Sequence, residues 1–343
     1  MAVYTHALEC RKCGTVTAAS LPADVLEHGF GPRLSGLVAY LTGRCRLSKR
    51  KVVEFLADAM GTPMSLGAVC AVEQDVSAVL AGPVEEARAA VRVAPVVHMD
   101  ETGWREDKKR AWLWIACCAA AIVYCVSPSR GAAVARAMLG EDFAGRLVPA
   151  RWNAYNWVDV LRRQLCWSHL FRDFQGMEDR GGKGGVLAGR ILTEADKMMD
   201  WWHRVGAGTL QRQTFQRRMV AVRARVGRLL RSAAARAESK TAGMCAEILK
   251  LEPAIWTFVD VEGIEPTNNT GERGIRPAVL WRKGSFGNDS ANGSRFTERI
   301  LTTIATVRMH GGNVLDYLTK ACTEYRTIGV APSLLAIPTH AEG

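Results

Sequence analysis

Apolar positions along the chain switch between helical and strand spacing, and the switches divide it. In residues 32–91, Leu34, Leu37, Val38 and Leu41 recur at three- and four-residue steps, which predicts helix. Ser48 is placed to cap a helix over residues 49–60, Gly61-Thr62-Pro63 breaks it, and Ser65 is placed to cap the next. Two helices around a short Gly-containing turn fit a helix-turn-helix and equally a plain helical hairpin. From residue 92 the spacing shortens. Residues 93–97 are Val-rich and too few for a helix, so they read as a buried strand. Its pairing should begin at or just after Pro95, which has no N–H to donate. The strand is expected to end at Asp100. Residues 111–118 and 121–126 read as two more strands, 131–139 as a short helix, and 145–148 as a fourth strand. Residues 155–161 follow as a short helix and 164–167 as a fifth strand. Residues 168–262 are mostly helical in pattern. Thr267 or Asn268 then caps a helix carrying Glu272. Residues 294–309 continue helical, with Phe296, Ile300, Leu301, Ile304 and Val307 as a core stripe, and the segment past Tyr325 reads as loosely attached surface chain.

Three strands, then helix, strand, helix and strand is the order of a ribonuclease-H-like core. In that core the first and fourth strands lie side by side and parallel, which would make residues 100 and 150 neighbours. The predicted fold class is therefore α/β: a ribonuclease-H-like core with a helical insertion, plus an N-terminal helical, helix-turn-helix-like domain. The expected divisions are a CxxC knuckle-like segment (1–31), helices (32–91), the core's first part (92–167), a basic helical insertion (168–262), the core's second part (263–325) and a tail (326–343).

Candidate chemistry is concentrated in a few places. A carboxylate at the carboxyl end of a buried strand sits where α/β folds bind ligands, and Asp100 offers hard oxygens to a divalent cation there. The plain alternative is a solvated loop acid. Cys10-Arg11-Lys12-Cys13 is half of a zinc site; a structural zinc takes four ligands, and Cys45, His6 and His28 are the further donors. The run Gly181-Gly182-Lys183-Gly184-Gly185 lacks the GxxxxGK[ST] pattern and is not a P-loop.

Charge sharpens the picture. The 343-residue chain has a formal net charge of +11 and a sequence pI of about 9.3, which favours a polyanionic partner. The surplus is local. Arg44, Arg46, Lys49, Arg50 and Lys51 cluster at the start of the paired helices. Residues 201–240 hold ten Lys/Arg against one acid, Glu238. There Arg217, Arg218, Arg225, Arg228 and Arg231 interleave with Val220, Val222, Val226, Leu229 and Leu230, as a basic face opposite an apolar one. Phosphate-backbone binding accounts for such a face, with a merely solvated basic helix as the alternative. Arg273, Arg276, Arg282 and Lys283 follow Glu272, whose plain alternative role is pairing with Arg276 at i, i+4. The ten cysteines form no secreted-type framework and read as reduced thiols of a cytoplasmic protein. No signal-peptide pattern opens the chain, and the apolar stretch 111–126 is too short and interrupted for a membrane span.

Four blocks, HMDETGWR, LCWSHLFRDF, TNNTGERGIRPAVLWRKGSFG and SRFTERILTTIATVRMHGGNVLDYL, are similar in sequence and order to transposases of the insertion sequence 66 family. The resemblance runs from about residue 10 to about residue 322. It implies a ribonuclease-H-like core with an Asp-Asp-Glu triad, and a helical insertion between the second Asp and the Glu. Asp100 matches the first Asp and Glu272 the Glu. The second Asp falls at residue 150, where this chain has Pro149-Ala150-Arg151. Asp142 and Asp159 do not sit at the end of the fourth strand and are poor substitutes. An engineered Asp-to-Ala change and a decayed natural copy both fit, the intact neighbouring blocks favouring the first. The Cys166-Trp167-Ser168-His169 block matches a Cys-x-x-His signature read as structural, since two ligands do not make a zinc site. Family members carry a fuller knuckle segment ahead of the helices, so end recognition here would depend on the 32–90 helices and the basic insertion.

The resemblance implies a DNA transposase that binds transposon ends and cuts and joins strands with two divalent ions, Mg²⁺ or Mn²⁺, about 4 Å apart. Asp100 and Glu272 would ligate them, with zinc at Cys10 and Cys13 as a further expectation. The implied partners are terminal repeats and target DNA, a second copy of the chain on DNA, and element-encoded helper proteins, with no membrane. Alternatives are a non-catalytic end-binding protein and a ribonuclease-H-like nuclease on RNA or branched DNA.

Overall fold

A computed structural model of the chain describes residues 6–20, 29–150 and 152–336. These form two compact units, one of residues 1–86 with 295–343 and one of residues 87–294.

The first unit begins with an exposed antiparallel hairpin, β1 (Ala7–Glu9) and β2 (Val16–Ala18). Helices α1 (Pro32–Ala39), α2 (Lys49–Met60) and α3 (Leu66–Val79) follow. The expected caps form: Ser48 Oγ accepts from the Lys51 N–H (3.3 Å) and Ser65 Oγ from the Ala68 N–H (3.1 Å). Each satisfies a first-turn donor with no partner inside the helix. Gly61 ends α2 at φ 57, a left-handed conformation that costs glycine little. The helix α4 (Ala81–Arg92) leaves this unit for the second. The chain returns through α12 (Ala291–Met309) and α13 (Val314–Ile328), whose Leu318, Ala321 and Cys322 are buried. The segment past Tyr325 is packed as far as it is described: Ala331 and Leu334 are buried, and Tyr317 Oη donates to the Pro332 carbonyl (2.7 Å). Leu334 supplies apolar area that holds it down, which spacing alone does not reveal. The end of the expected tail lies outside the described residues.

The second unit is built on a four-stranded sheet ordered β5-β4-β3-β6, from β3 (Val96–Glu106), β4 (Lys109–Cys117), β5 (Ile122–Ser127) and β6 (Arg146–Pro149). The pairs β3/β4 and β4/β5 are antiparallel and β3/β6 is parallel. The helix α5 (Ala132–Leu139) makes the crossover that a parallel pair requires. The first and fourth strands of the sheet are thus neighbours, as the order of elements predicts. Three local expectations are corrected. β3 does not stop at Asp100 but runs to Glu106, because β4 continues to pair with it down to Glu106↔Lys109. Its other edge opens at Asp100, because β6 ends at Met99↔Pro149. Residues 155–161 are not a helix; two 3₁₀ turns, Asn153–Tyr155 and Val160–Arg162, stand there. Residues 164–167 are not a strand. The Gln164 N–H reaches Leu147 O, but the Leu165 and Trp167 N–H groups go to Ala254 and Pro266 carbonyls, so no ladder propagates.

The segment between β6 and residue 262 is largely helical, as its pattern predicts: α6 (Trp167–Glu178), α7 (Gly182–Gly206), α8 (Arg212–Arg236), α9 (Ser239–Lys250) and a single turn, α10 (Thr257–Asp260). Phe174, Ile191, Phe215, Val226, Ile248 and Phe258 belong to one core that also includes Val148 of β6. Phe215, Met219, Val222, Val226 and Leu230 form the buried stripe of α8. Val220, expected on that stripe, is 70% exposed because it falls on the opposite side of the turn. The glycine run that begins α7 is filled from within: Glu238 accepts from the Lys183 (3.1 Å) and Gly184 (3.2 Å) N–H groups. The helix α11 (Asn269–Ser285) then lies across β3 and β4.

Candidate active site

Alternation along β3 sends Asp100 and Glu101 to opposite faces of the sheet. Asp100 shares its face with its cross-strand partner Ile115. That is the face α11 covers, because a side chain added at Gly274 of α11 would run into Ile115 and Cys117, and Tyr124 Oη donates to the Gly274 carbonyl. The close approach needs a glycine. It also carries the first turn of α11, and Glu272 with it, to the edge of the sheet at Asp100.

Asn268 makes the connection. It occupies the N-cap position of α11, as expected, but its side chain does not cap the helix. It crosses to β3 instead: Nδ2 donates to the Met99 carbonyl (2.8 Å) and Oδ1 meets His98 Nδ1 (3.0 Å). With Nδ2 committed as donor, Oδ1 accepts and His98 carries its proton on Nδ1. Burial holds the His98 pKa below its ordinary value, which keeps the imidazole neutral. The Asn268 N–H donates to Cys166 Sγ (3.2 Å), tying the start of α6 to the same junction.

The result is an open pocket of about 640 Å³ lined by Asp100, Ser168, His169, Phe171, Arg172 and Glu272. Asp100 Oδ1 accepts from the Glu101 N–H (2.9 Å). Desolvation, with the negative charges of Glu101 and Glu272, pushes its pKa from 3.8 to about 7. Glu272 Oε1 is buried without a hydrogen-bond partner. It stands 3.8 Å from His169 Nδ1, so Glu272 turns to the pocket rather than pairing with Arg276. Two carboxylates lining one pocket, Asp100 with a raised proton affinity and Glu272 with an orphaned oxygen, fit a divalent cation by charge and by hardness. Residue 150 offers no ligand. It follows Pro149, the last residue of β6 to pair with β3, and carries only a methyl group. Arg151 lies outside the described residues.

The opposite face of β3 is filled by a polar cluster that the sequence did not reveal. Glu101 is buried, paired to Arg130 (2.8 Å) and accepting from Tyr155 Oη (2.6 Å). The Arg130 guanidinium is sandwiched by Trp112 (4.6 Å) and Trp152 (3.9 Å). Spacing alone could not name a partner for Glu101 that lies 29 residues away. Arg172 and Asn268 were missed for the same reason.

Several expected DNA-contacting cations are committed to the protein. Arg282 reaches Thr102 Oγ1 (3.1 Å) and the Gly103 carbonyl (2.5 Å), bracing α11 on β3. Arg225 is paired with Glu194 (2.7 Å), and Lys49 with Glu73 (2.7 Å). Each faces an acceptor from a neighbouring element, invisible in a linear pattern, while the Lys49 and Arg225 side chains stay 42% and 40% exposed. Arg273, Arg276 and Lys283 on α11, Arg217, Arg218 and Arg228 on α8, and Arg50 and Lys51 on α2 are exposed. Arg218 lies over Trp201 (5.0 Å), Arg217 bonds Thr214 (3.1 Å), and both stay accessible. The exposed side of α3, with Leu66, Ala71, Gln74, Asp75 and Ala78, carries no cation. Cys10 and Cys13 sit in the exposed hairpin turn, and hydrogen bonds from Thr15 lower the Cys13 pKa. Among the described residues no third His, Cys, Asp or Glu joins them. His28 lies outside the described residues.

The second unit is thus an α/β unit whose open pocket is lined by two carboxylates, an arginine and a histidine. The model of the IS66 transposase family matches residues 29–295, and the chain belongs to that family. It is also similar to an uncharacterised protein, y4qI, of Sinorhizobium fredii, with 27% identity over 216 residues. That match covers 59% of this chain and 40% of y4qI, so the chain spans well under two thirds of that curated relative. No helix among the described residues is long and apolar enough to cross a membrane.

Proposed function

We propose that the second unit is a ribonuclease-H-like catalytic core that binds transposon-end DNA and is built to cut and join phosphodiester bonds at Asp100 and Glu272. The convergence of those two carboxylates on one pocket carries the reading. The sheet order, with a parallel fourth strand beside the first, supports it.

Divalent cations, Mg²⁺ or Mn²⁺, supply stabilisation of the attacking and leaving oxygens of an in-line displacement when bound. Asp100 and Glu272 are the residues that would hold them. Asp100 must be ionised to ligate, so affinity for the divalent ion should rise as pH rises through about 7. Asn268 holds the strand and helix that carry the two carboxylates in one geometry. Arg172 lines the pocket, and Arg273 and Arg276 lie exposed on the turns around Glu272, where they would hold phosphates. Exposed cations of α8 would extend that grip along the backbone. Ala150 leaves the third ligand position empty, so the chain as it stands binds DNA and cleaves little.

The test is Ala150→Asp beside the unaltered chain, each with Mg²⁺ or Mn²⁺ and labelled element ends. The Asp form should nick or join while the Ala form does not; the reverse would remove the triad assignment. Ala150 itself favours a second reading, a non-catalytic protein occupying element ends. Salt-dependent, end-specific binding without rescue by Ala150→Asp would select it.

A further inference from the structure

We propose that Cys166, His169 and Glu272 form a zinc site, distinct in chemistry from the carboxylate pair and sharing Glu272 with it. The candidate ligand atoms of the three residues all lie within 4.8 Å of one another. His169 Nδ1 is 3.8 Å from Glu272 Oε1. Tetrahedral zinc with bonds of about 2.0–2.3 Å sets ligand atoms roughly 3.3–3.8 Å apart, so small side-chain rotations close the site. Cys166 and His169 stand three residues apart at the start of α6, and Glu272 approaches from the first turn of α11. The two ligands of the Cys-x-x-His block are too few alone; the fold adds the third.

The surroundings suit a bound cation. Cys166 is fully buried, and its sulfur already accepts the Asn268 N–H (3.2 Å), the kind of outer hydrogen bond that orients a metal ligand. Glu272 Oε1 has no hydrogen-bond partner although it is buried. The open pocket leaves a fourth position for water. Sulfur and imidazole select zinc over magnesium, whereas Asp100 with Glu272 offers only hard oxygen. Glu272 belongs to both sets, so zinc would withdraw it from a hard cation. That consequence rests on the catalytic reading above; the site itself does not.

The experiment uses the full chain, stripped of metal and titrated with Co²⁺ and then Zn²⁺. One equivalent of Co²⁺ should give the visible bands of tetrahedral cobalt and a thiolate-to-cobalt charge-transfer band, both bleached by Zn²⁺. Cys10→Ser/Cys13→Ser should keep them. His169→Ala, at a partly exposed position, should weaken binding by more than about tenfold, since losing a direct ligand costs at least as much as losing an outer-sphere one. Cys166→Ser should abolish the charge-transfer band, and circular dichroism checks that it folds; where it does not, His169→Ala decides. Bands that vanish in Cys10→Ser/Cys13→Ser and persist in His169→Ala would overturn the proposal, as would no thiolate band in the unaltered chain. Neither result bears on Ala150→Asp, whose nicking tests the catalytic reading separately.

Discussion

Asp100→Asn should stabilise the cation-free protein above neutral pH. Burial and two neighbouring carboxylates hold the Asp100 pKa near 7 in the fold, against 3.8 ordinarily. Between those values the folded chain keeps a proton that the unfolded chain releases, so stability falls as pH rises from about 4 to 7. The penalty is absent below pH 4 and complete above pH 7. At 1.36 kcal/mol for each pKa unit, the gap sets an upper bound of about 4 kcal/mol. Water in the open pocket screens part of it, and about 1–3 kcal/mol is the expected net gain for Asp100→Asn at pH 8. The amide keeps the shape and removes the charge, so the gain should vanish near pH 4. Urea unfolding at pH 4.5, 6 and 8 without divalent ions measures it, with the midpoint difference growing with pH. Adding Mg²⁺ should stabilise the unaltered protein more than the variant, because only the carboxylate binds it well. Equal midpoints at all three pH values would mean that Asp100 is solvated rather than buried beside Glu272.

The remaining expectations concern the supports of that pocket. Asn268→Ala leaves the Met99 carbonyl and His98 Nδ1 buried without their partner, and should cost about 2–4 kcal/mol in denaturant melts; a loss under a few tenths would show that the junction is not held there. Arg130→Ala strands the buried Glu101 carboxylate on Tyr155 alone, and should cost about 3 kcal/mol. A neutral result in thermal melts would disprove that role. In salt titrations of DNA binding, Arg273→Ala and Lys283→Ala should each reduce the slope of log K against log salt by about 0.9. Arg282→Ala should instead lower the melting temperature and leave the slope nearly unchanged; the opposite pattern would return Arg282 to the DNA.

Local chemistry was legible in one dimension. Ser48 and Ser65 cap their helices because a hydroxyl before a helical run meets first-turn N–H groups within three residues. The Val-rich run after Pro95, the two apolar strands behind it and the crossover helix follow from residue type and spacing. Asp100 stood out as an acid after an apolar strand run and Glu272 as one in the first turn of a capped helix, and the blocks around them marked the family. What the linear pattern lacked were partners that arrive from afar. β3 outlasts Asp100 because β4 returns beside it, and Asn268 gives up its cap because His98 and the Met99 carbonyl, some 170 positions earlier, lie within reach. Arg225 and Arg282 resembled free cations until Glu194, Thr102 and Gly103 stood opposite them. Helical and strand periods record which side of an element is dry. Which element dries it, and which charge faces which across the gap, is settled by packing among segments that the chain itself keeps far apart.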